Sequence, residues 1–133
     1  MTGIAEAPAW GWRWLAEMCR IVTGARQRAA EERGRRLLRE NLSPIQRRQY
    51  AASGSFEVVG GSTGRRYRIR HGRFMNVQEL DAQGRLVGTW CFFPVGGLVP
   101  GDILLAQKLA LELFEPEALA VANPGNPPSA ALP

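Results

Sequence analysis

The sequence predicts an α+β fold: N-terminal helices, a four-stranded antiparallel β-meander, and a C-terminal helix packed on the sheet. Between residues 56 and 93, β-branched and aromatic residues alternate with polar ones and are interrupted by turn residues. From Ile103 onward, apolar residues recur at helical spacing. We expect a helical extension over residues 1–42, amphipathic and then charged, an α+β core over residues 43–122, and a disordered tail over residues 123–133.

Composition and charge bound the class of protein. A chain of 133 residues with 45% hydrophobic content predicts one globular domain. Residues 1–75 carry 15 arginines and 6 acidic residues, a net charge of +9, whereas residues 76–133 carry a net charge of −4. A basic half can attract nucleic acid or an acidic protein. The excess of Arg over Lys in an Ala-, Gly- and Pro-rich chain is also typical of GC-rich coding, so the basic pI alone indicates little.

Cysteine content and hydropathy predict a cytoplasmic protein. Cys19 and Cys91 lie in regions of different character, and we expect both to be reduced thiols. No secretory signal is visible, and no apolar run approaches the roughly 18 residues of a membrane span.

The first predicted helix carries a tryptophan stripe. Trp10, Trp14 and Met18 follow i, i+4, i+8 spacing, and Arg13 and Arg20 lie opposite them. The stripe fits a membrane surface or a protein partner, or it packs on its own domain or on a second copy. We favour packing, because interfacial membrane helices usually have a richer basic face. Gly24 is expected to end this helix.

A charged helix is predicted next, over Ala25–Leu42, with Gly34 weakening it. Its oppositely charged residues stand four apart and support each other. Such a helix can follow a nucleic-acid backbone, but a solvated helix with internal ion pairs is the favoured interpretation.

A capping box predicts the third helix. Ser43 at the N-cap, Pro44 at the first position and Gln46 at the third predict a helix from Pro44 to Ala52, which Gly54 ends. Ile45 and Tyr50 are its expected buried contacts.

The predicted strands are Phe56–Val59, Tyr67–His71, Asn76–Leu80 and Leu86–Phe93. The glycines of Gly60–Gly64 suit a tight reversal with positive φ, and Asp81–Gly84 fits a type I turn. In the second strand, Tyr67, Ile69 and His71 should share a buried face. The last strand is apolar on both sides, which predicts cover on both faces.

Asp102 is the predicted N-cap of the C-terminal helix. Its buried stripe is expected to be Ala106, Leu109, Ala110, Leu113 and Phe114, opposite a polar stripe of Lys108, Glu112 and Glu115. Proline then predicts a second short helix over Pro116–Ala122.

The best candidate binding residues are arginines on one face of the second strand. Arg66, Arg68 and Arg70, extended by Arg73, could contact phosphates or the carboxylates of a protein partner. The alternative is a solvent-facing strand that resists edge association by its charge.

No catalytic residues, metal ligands or cofactor site are predicted. His71 is the sole histidine, Cys91 between aromatic residues is typical of a core residue, and the glycines match no phosphate loop. The sequence therefore predicts a non-enzymatic protein.

Several short motifs resemble a group of short uncharacterised bacterial proteins. The matching elements lie within residues 43–123 and are Tyr67–Arg70 with Gly72, Asn76–Val77, Leu80–Asp81 with Gly84, Trp90–Phe92 with Pro94, and Asp102 followed by Leu105–Lys108 and Ala110–Glu112. The resemblance implies a strand-rich unit closed by a helix, and it implies no activity or site residues.

The sequence thus predicts a protein-binding or assembly module. Its partner is expected to be a protein, a second copy included, and its interface the stripe of Trp10, Trp14 and Met18. The alternative is nucleic-acid binding through the charged helix and the arginine strand. A membrane surface is not the expected partner.

Overall fold

The computed structural model describes residues 9–72 and 74–125, which form an α+β fold of four helices and one antiparallel sheet. The helices are α1 (Ala9–Glu40), α2 (Pro44–Ser53), α3 (Pro100–Leu113) and α4 (Glu115–Val121). The strands are β1 (Ser55–Val59), β2 (Arg66–Arg70), β3 (Val77–Leu80), β4 (Leu86–Cys91) and β5 (Asn123–Pro124). The predicted fold class is confirmed, with five strands in place of the expected four.

The sheet is a meander in which each strand pairs with its neighbours in the order β1-β2-β3-β4-β5. Sequence analysis missed β5, because Asn123 and Pro124 fall where a disordered tail was expected. Asn123 pairs with Cys91 and Pro124 with Trp90. Proline is tolerated on an edge strand, where its missing N–H breaks no ladder. The rest of the expected tail, residues 126–133, lies outside the described residues.

Gly24 does not end α1, and the two predicted N-terminal helices are one helix of 32 residues. A single glycine costs a helix only about 1 kcal/mol, which a long helix absorbs. Gly34 lies where α1 crosses α3: it is buried, and a Cβ there would lie 2.6 Å from Cγ2 of Val99. This glycine permits the two helices to approach closely.

The capping box of α2 is confirmed. The Ser43 hydroxyl accepts from the Gln46 N–H, the Gln46 side chain accepts from the Ser43 N–H, and Gly54 ends the helix at φ 71°. Ile45 was wrongly expected to be buried and is 61% exposed. Gln46 is buried instead, and its Nε2 donates to the Glu57 carbonyl at 2.9 Å.

The start of α3 differs from the prediction. Val99 is the N-cap and Pro100 occupies the first turn, so Asp102 lies inside the helix and makes no cap hydrogen bond.

The expected orientation of α3 is also wrong. Leu104, Leu105, Gln107, Lys108 and Leu111 face inward, whereas Leu109 and Leu113 are exposed. Two members of the expected polar stripe, Lys108 and Glu115, are buried.

The core lies between the sheet and the helices. It combines residues of α1, the α1–α2 connection, three strands and α3: Leu38, Leu42, Phe56, Val58, Tyr67, Ile69, Val77, Leu104, Leu105 and Leu111. The end of α1 thus contributes to the same core as the sheet.

Two predictions of burial in the sheet are wrong. β4 was expected to be covered on both faces, but its first residues Leu86 and Val87 are exposed. His71, expected to be buried, is exposed just beyond β2.

Glycines 60 and 61 in the β1–β2 connection serve close approach and have no positive φ, contrary to expectation. Of the glycines in this connection, Gly64 has the positive φ, at 73°. The Gly61 N–H donates to the Leu111 carbonyl at 3.0 Å, and a Cβ on Gly61 would overlap the Glu112 carbonyl. Gly61 therefore lets the hairpin lie against the end of α3, and Gly60 lets it lie against the Glu115 side chain at the start of α4.

Candidate functional site

The N-terminal part of α1 projects from the core. Every side chain from Trp12 to Thr23 is exposed, and burial on α1 begins near Ala30. We call residues 10–29 the arm. At 1.5 Å per residue, its 20 residues extend about 30 Å.

The arm presents a broad apolar surface. The predicted interface residues are exposed: Trp10 by 74%, Trp14 by 61% and Met18 by 40%. Sequence analysis missed Trp12 and Leu15, which are also exposed. The large apolar side chains exposed on the arm are Trp10, Trp12, Trp14, Leu15, Met18, Ile21 and Val22.

A heptad-like spacing could have revealed Leu15, whereas Trp12 lies outside that spacing. Gly11, Leu15, Met18, Val22 and Ala25 alternate steps of four and three, which is the repeat of helices that pack lengthwise on another helix. Because the i, i+4, i+8 reading follows one edge of this stripe, it omits Leu15. The stripe is thus wider than the sequence analysis inferred.

The arm is also cationic. Residues 9–29 contain four arginines and one glutamate, a net charge of +3. Glu17 is within 3.7 Å of Arg20, in an exposed pair that contributes little stability. The arm combines an apolar stripe with positive charge available to a partner.

The arginine face of β2 is partly neutralised within the sheet. Glu57 of β1 accepts from Arg66 Nη2 at 2.9 and 3.1 Å, and its carboxylate lies 3.7 Å from Arg68. Arg66 also donates to the Asp81 and Ala82 carbonyls. Arg70 is exposed. Arg73, the predicted extension of this face, lies outside the described residues.

The charged part of α1 is held by its own ion pairs. Glu32 accepts from Arg35 at 3.1 Å and from Arg39 at 3.3 Å. The two arginines lower the pKa of Glu32, Arg35 most strongly through its hydrogen bond. Glu32 thus pairs with residues three and seven positions further along the helix and not at the predicted spacing of four, and nucleic-acid binding by this part of α1 stays a prediction.

His71 does not pair with Cys91. Its Nε2 lies 2.8 Å from the Tyr50 hydroxyl, and β3 lies between β2 and the strand that carries Cys91. Although His71 as a residue is exposed, partial desolvation of its ring, and then the charge of Arg35, lower its pKa. His71 is therefore neutral at physiological pH and makes a structural contact with α2.

A groove of about 590 Å³ opens beside His71, between α1 and the segment that joins β4 to α3. Its lining is mainly apolar, from Phe93, Pro94, Leu98, Val99 and Ile103, with Gln27 and Glu31 on the α1 side. The groove brings together no nucleophile and base.

Two buried polar networks hold the core. The Glu115 carboxylate accepts from the Tyr67 hydroxyl at 2.6 Å, from the Thr63 hydroxyl at 2.7 Å, and from the Ser62 and Thr63 N–H groups. Asn76 and Gln107 exchange two side-chain hydrogen bonds, at 2.7 and 3.1 Å. Their remaining amide hydrogens reach the Arg70 and Phe92 carbonyls. All of these groups are paired, which is typical of a structural role.

Within residues 9–72 and 74–125, no group of three or more His, Cys, Asp or Glu side chains is arranged to hold a metal ion. In the same part of the chain, no helix is long and apolar enough to cross a membrane. Comparison with protein-family models, curated proteins and solved structures finds no match to this chain.

Proposed function

We propose that this protein is a non-enzymatic binding or assembly module whose interface is the arm. The observation that supports the proposal is the exposure of seven large apolar side chains within 13 residues of one helix. Burying each against a partner would contribute about 1.5–3 kcal/mol before the costs of association. Tryptophans are enriched among residues that dominate protein interfaces.

The partner is a protein, and a second copy of the chain is the first one to test. The heptad-like spacing of the arm supports a partner surface that accepts a helix along its length. Seven large apolar side chains exposed on one helix are also a cluster, whereas exposed apolar residues that need no explanation are scattered singly.

The experiment is the solution mass of the double variant Trp10→Ala with Trp14→Ala, measured by light scattering at low and high salt. We expect the wild type to be larger than a monomer at both salt concentrations and the variant to be a monomer. The control is Arg33→Ala with Arg36→Ala, two exposed positions of α1 outside the arm. It should keep the wild-type mass.

Circular dichroism should show the same helix content in both double variants, because alanine favours helix. An unchanged mass in the tryptophan variant would contradict the arm as an interface.

Nucleic-acid binding is the alternative proposal, with the arginine face and the charged part of α1 as its surface. The exposure of Arg70 supports it, and the pairing of Arg66 and Arg68 with Glu57 weakens it. Affinity would then fall steeply with salt, and neutralising Arg66, Arg68 and Arg70 together would reduce that slope by up to about 3. Co-purification of nucleic acid that high salt removes would favour this alternative.

A further inference from the structure

The outward side of α3 and α4 is a second large apolar surface. Leu109 is 41% exposed, Leu113 65%, Phe114 59% and Val121 77%. With the smaller Ala106 and Ala110 between them, these residues form what we call the outer face. None of them is covered by the arm of the same chain, whose side chains from Trp12 to Thr23 are themselves exposed.

The side of α3 that faces outward is one that a helix normally buries. Its inward side includes Gln107 and Lys108, which require the Asn76 amide and the Glu112 carboxylate as partners. The outward side of α3 from Ala106 to Leu113 has instead the apolar periodicity of a buried face. An apolar surface of this extent on a monomer marks an interaction site.

The outer face also has a receptor for a large side chain. An apolar notch of about 170 Å³ lies between α3, α4 and the residues after β4. It is lined by Phe92, Phe93, Ala106, Ala110, Ala118 and Val121. Aromatic anchors that fill such pockets typically dominate interface energies, and the arm carries three exposed tryptophans.

The segments that carry the two surfaces have opposite net charge, although Glu115 is buried in its own network and Lys108 pairs with Glu112 on the inward side of α3. Residues 98–125, which form α3, α4 and β5, contain four acidic residues and one lysine, a net charge of −3. The arm carries +3 over residues 9–29. Opposite charge favours an arm on the outer face, whereas two arms side by side would place like charges together.

We propose that the arm of one copy docks on the outer face of another copy, with an arm tryptophan in the notch. This inference rests on the proposed function, since it takes the arm as the interface and assigns its receptor. The arm cannot reach the outer face of its own chain as one continuous helix, because α1 crosses α3 near Gly34 and Gly101 and the arm extends beyond that crossing. Each copy therefore offers one arm and one receptor. Reciprocal exchange of arms would close a symmetric pair.

The test is a complementation experiment with two variants. The arm variant is Trp10→Ala with Trp14→Ala, and the face variant is Leu109→Gln with Leu113→Gln. Both leucines are exposed in the isolated chain, so glutamine should leave the fold intact, as circular dichroism and a thermal melt would verify. Ile45→Gln, an exposed apolar position on α2 outside both surfaces, is the matched control and should keep the wild-type mass.

We expect each variant alone to be a monomer by light scattering at a concentration where the wild type is assembled. An equimolar mixture should form a one-to-one complex, because the face variant keeps an intact arm and the arm variant keeps an intact receptor. The mixture should need at least a tenfold higher concentration than the wild type, since one contact replaces two.

Other outcomes separate the two proposals. A face variant that keeps the wild-type mass, with a monomeric arm variant, would overturn docking on the outer face and retain the arm as an arm-to-arm interface. A mixture that stays monomeric at a hundredfold higher concentration would also overturn the docking. An arm variant that keeps the wild-type mass, or a monomeric wild type, would overturn both this inference and self-association through the arm.

Discussion

At the scale of single residues, Glu115 joins the β1–β2 hairpin to the start of α4. It is 1% exposed, and its carboxylate accepts four hydrogen bonds, from Ser62, from Tyr67, and from both the N–H and the hydroxyl of Thr63. Burial alone would raise the pKa of Glu115, but these hydrogen bonds outweigh burial and lower it. Burial, and then the same contact with Glu115, raise the pKa of Tyr67. A buried carboxylate with this many donors is stable in its charged form.

We expect Glu115→Ala to lower the free energy of unfolding by about 3 kcal/mol, because it leaves the buried Tyr67 hydroxyl and two loop N–H groups without an acceptor. Glu117→Ala, on the exposed surface of the same helix, should change it by less than about 0.5 kcal/mol. Urea denaturation of both variants measures the difference. Equal effects would contradict the structural role of Glu115.

The pH dependence of Glu115→Gln provides a second check. A lowered folded pKa means that the charged carboxylate adds stability above the ordinary unfolded value of about 4.3, and that this stability is lost as the pH falls through the folded pKa. The stability difference between wild type and Glu115→Gln should therefore be constant above about pH 5 and vanish in more acidic solution. Denaturation curves across this pH range measure it, and a difference that grows on acidification would contradict the assignment.

At the scale of secondary-structure elements, the crossing of α1 and α3 depends on two glycines in contact. A Cβ on Gly101 would lie 2.7 Å from the Arg35 backbone nitrogen and closer still to the Gly34 carbonyl. Backbone atoms cannot rotate away as a side chain does. The crossing therefore requires glycine at position 101, because no larger residue fits there. This requirement outweighs the low helix propensity of glycine in α3.

We expect Gly101→Ala to lower the free energy of unfolding by about 2–3 kcal/mol, since the two helices must move apart and loosen the packing of Leu38 and Leu104. Gly24→Ala, on the same long helix, is the control. Its new Cβ would meet only the flexible Arg28 side chain, at 3.5 Å, so it should stabilise the protein by about 0.5–1 kcal/mol. Thermal and urea denaturation test both changes, and a stabilised Gly101→Ala variant would exclude the close crossing.

At the scale of the whole molecule, the two parts of α1 have different roles. The C-terminal part stabilises the fold, and the N-terminal arm is the proposed assembly surface. The C-terminal part supplies Leu38 to the core, whereas the N-terminal part contributes no buried side chain between Trp12 and Thr23. Substituting apolar residues of the arm should therefore leave the free energy of unfolding unchanged and should weaken self-association.

Leucine-to-alanine substitutions at one position in each part of α1 test this difference in roles. Leu38 is completely buried, so Leu38→Ala should cost about 3 kcal/mol of unfolding free energy in dilute, monomeric protein. Leu15 is 50% exposed, so Leu15→Ala should cost less than about 0.5 kcal/mol and should weaken self-association instead. Denaturation and light scattering on both variants separate the two effects. A large loss of stability in dilute Leu15→Ala would show that the arm belongs to the core.

The sequence by itself determined the features that depend on neighbouring residues. The capping box of Ser43 and Gln46, the helix end at Gly54, the turn from Asp81 to Gly84 and the alternation around Tyr67 and Ile69 were all predictable. In each case the decisive contact lies within a few residues along the chain. The exposed Trp10, Trp14 and Met18 were identified as a stripe for the same reason.

Tertiary structure alone decided which of two plausible faces is buried. The apolar pattern of α3 predicts burial of Leu109 and Leu113, yet the helix turns Gln107 and Lys108 inward. Gln107 exchanges hydrogen bonds with Asn76, a distant partner that the sequence does not reveal, whereas Lys108 pairs with Glu112 of its own helix. Distant contacts likewise decided that Glu115 is buried and that Gly34 belongs inside a helix. A helical repeat indicates that a face should be covered, whereas the position of other elements determines whether this chain covers it. The outer face and the arm are the two surfaces that it leaves uncovered.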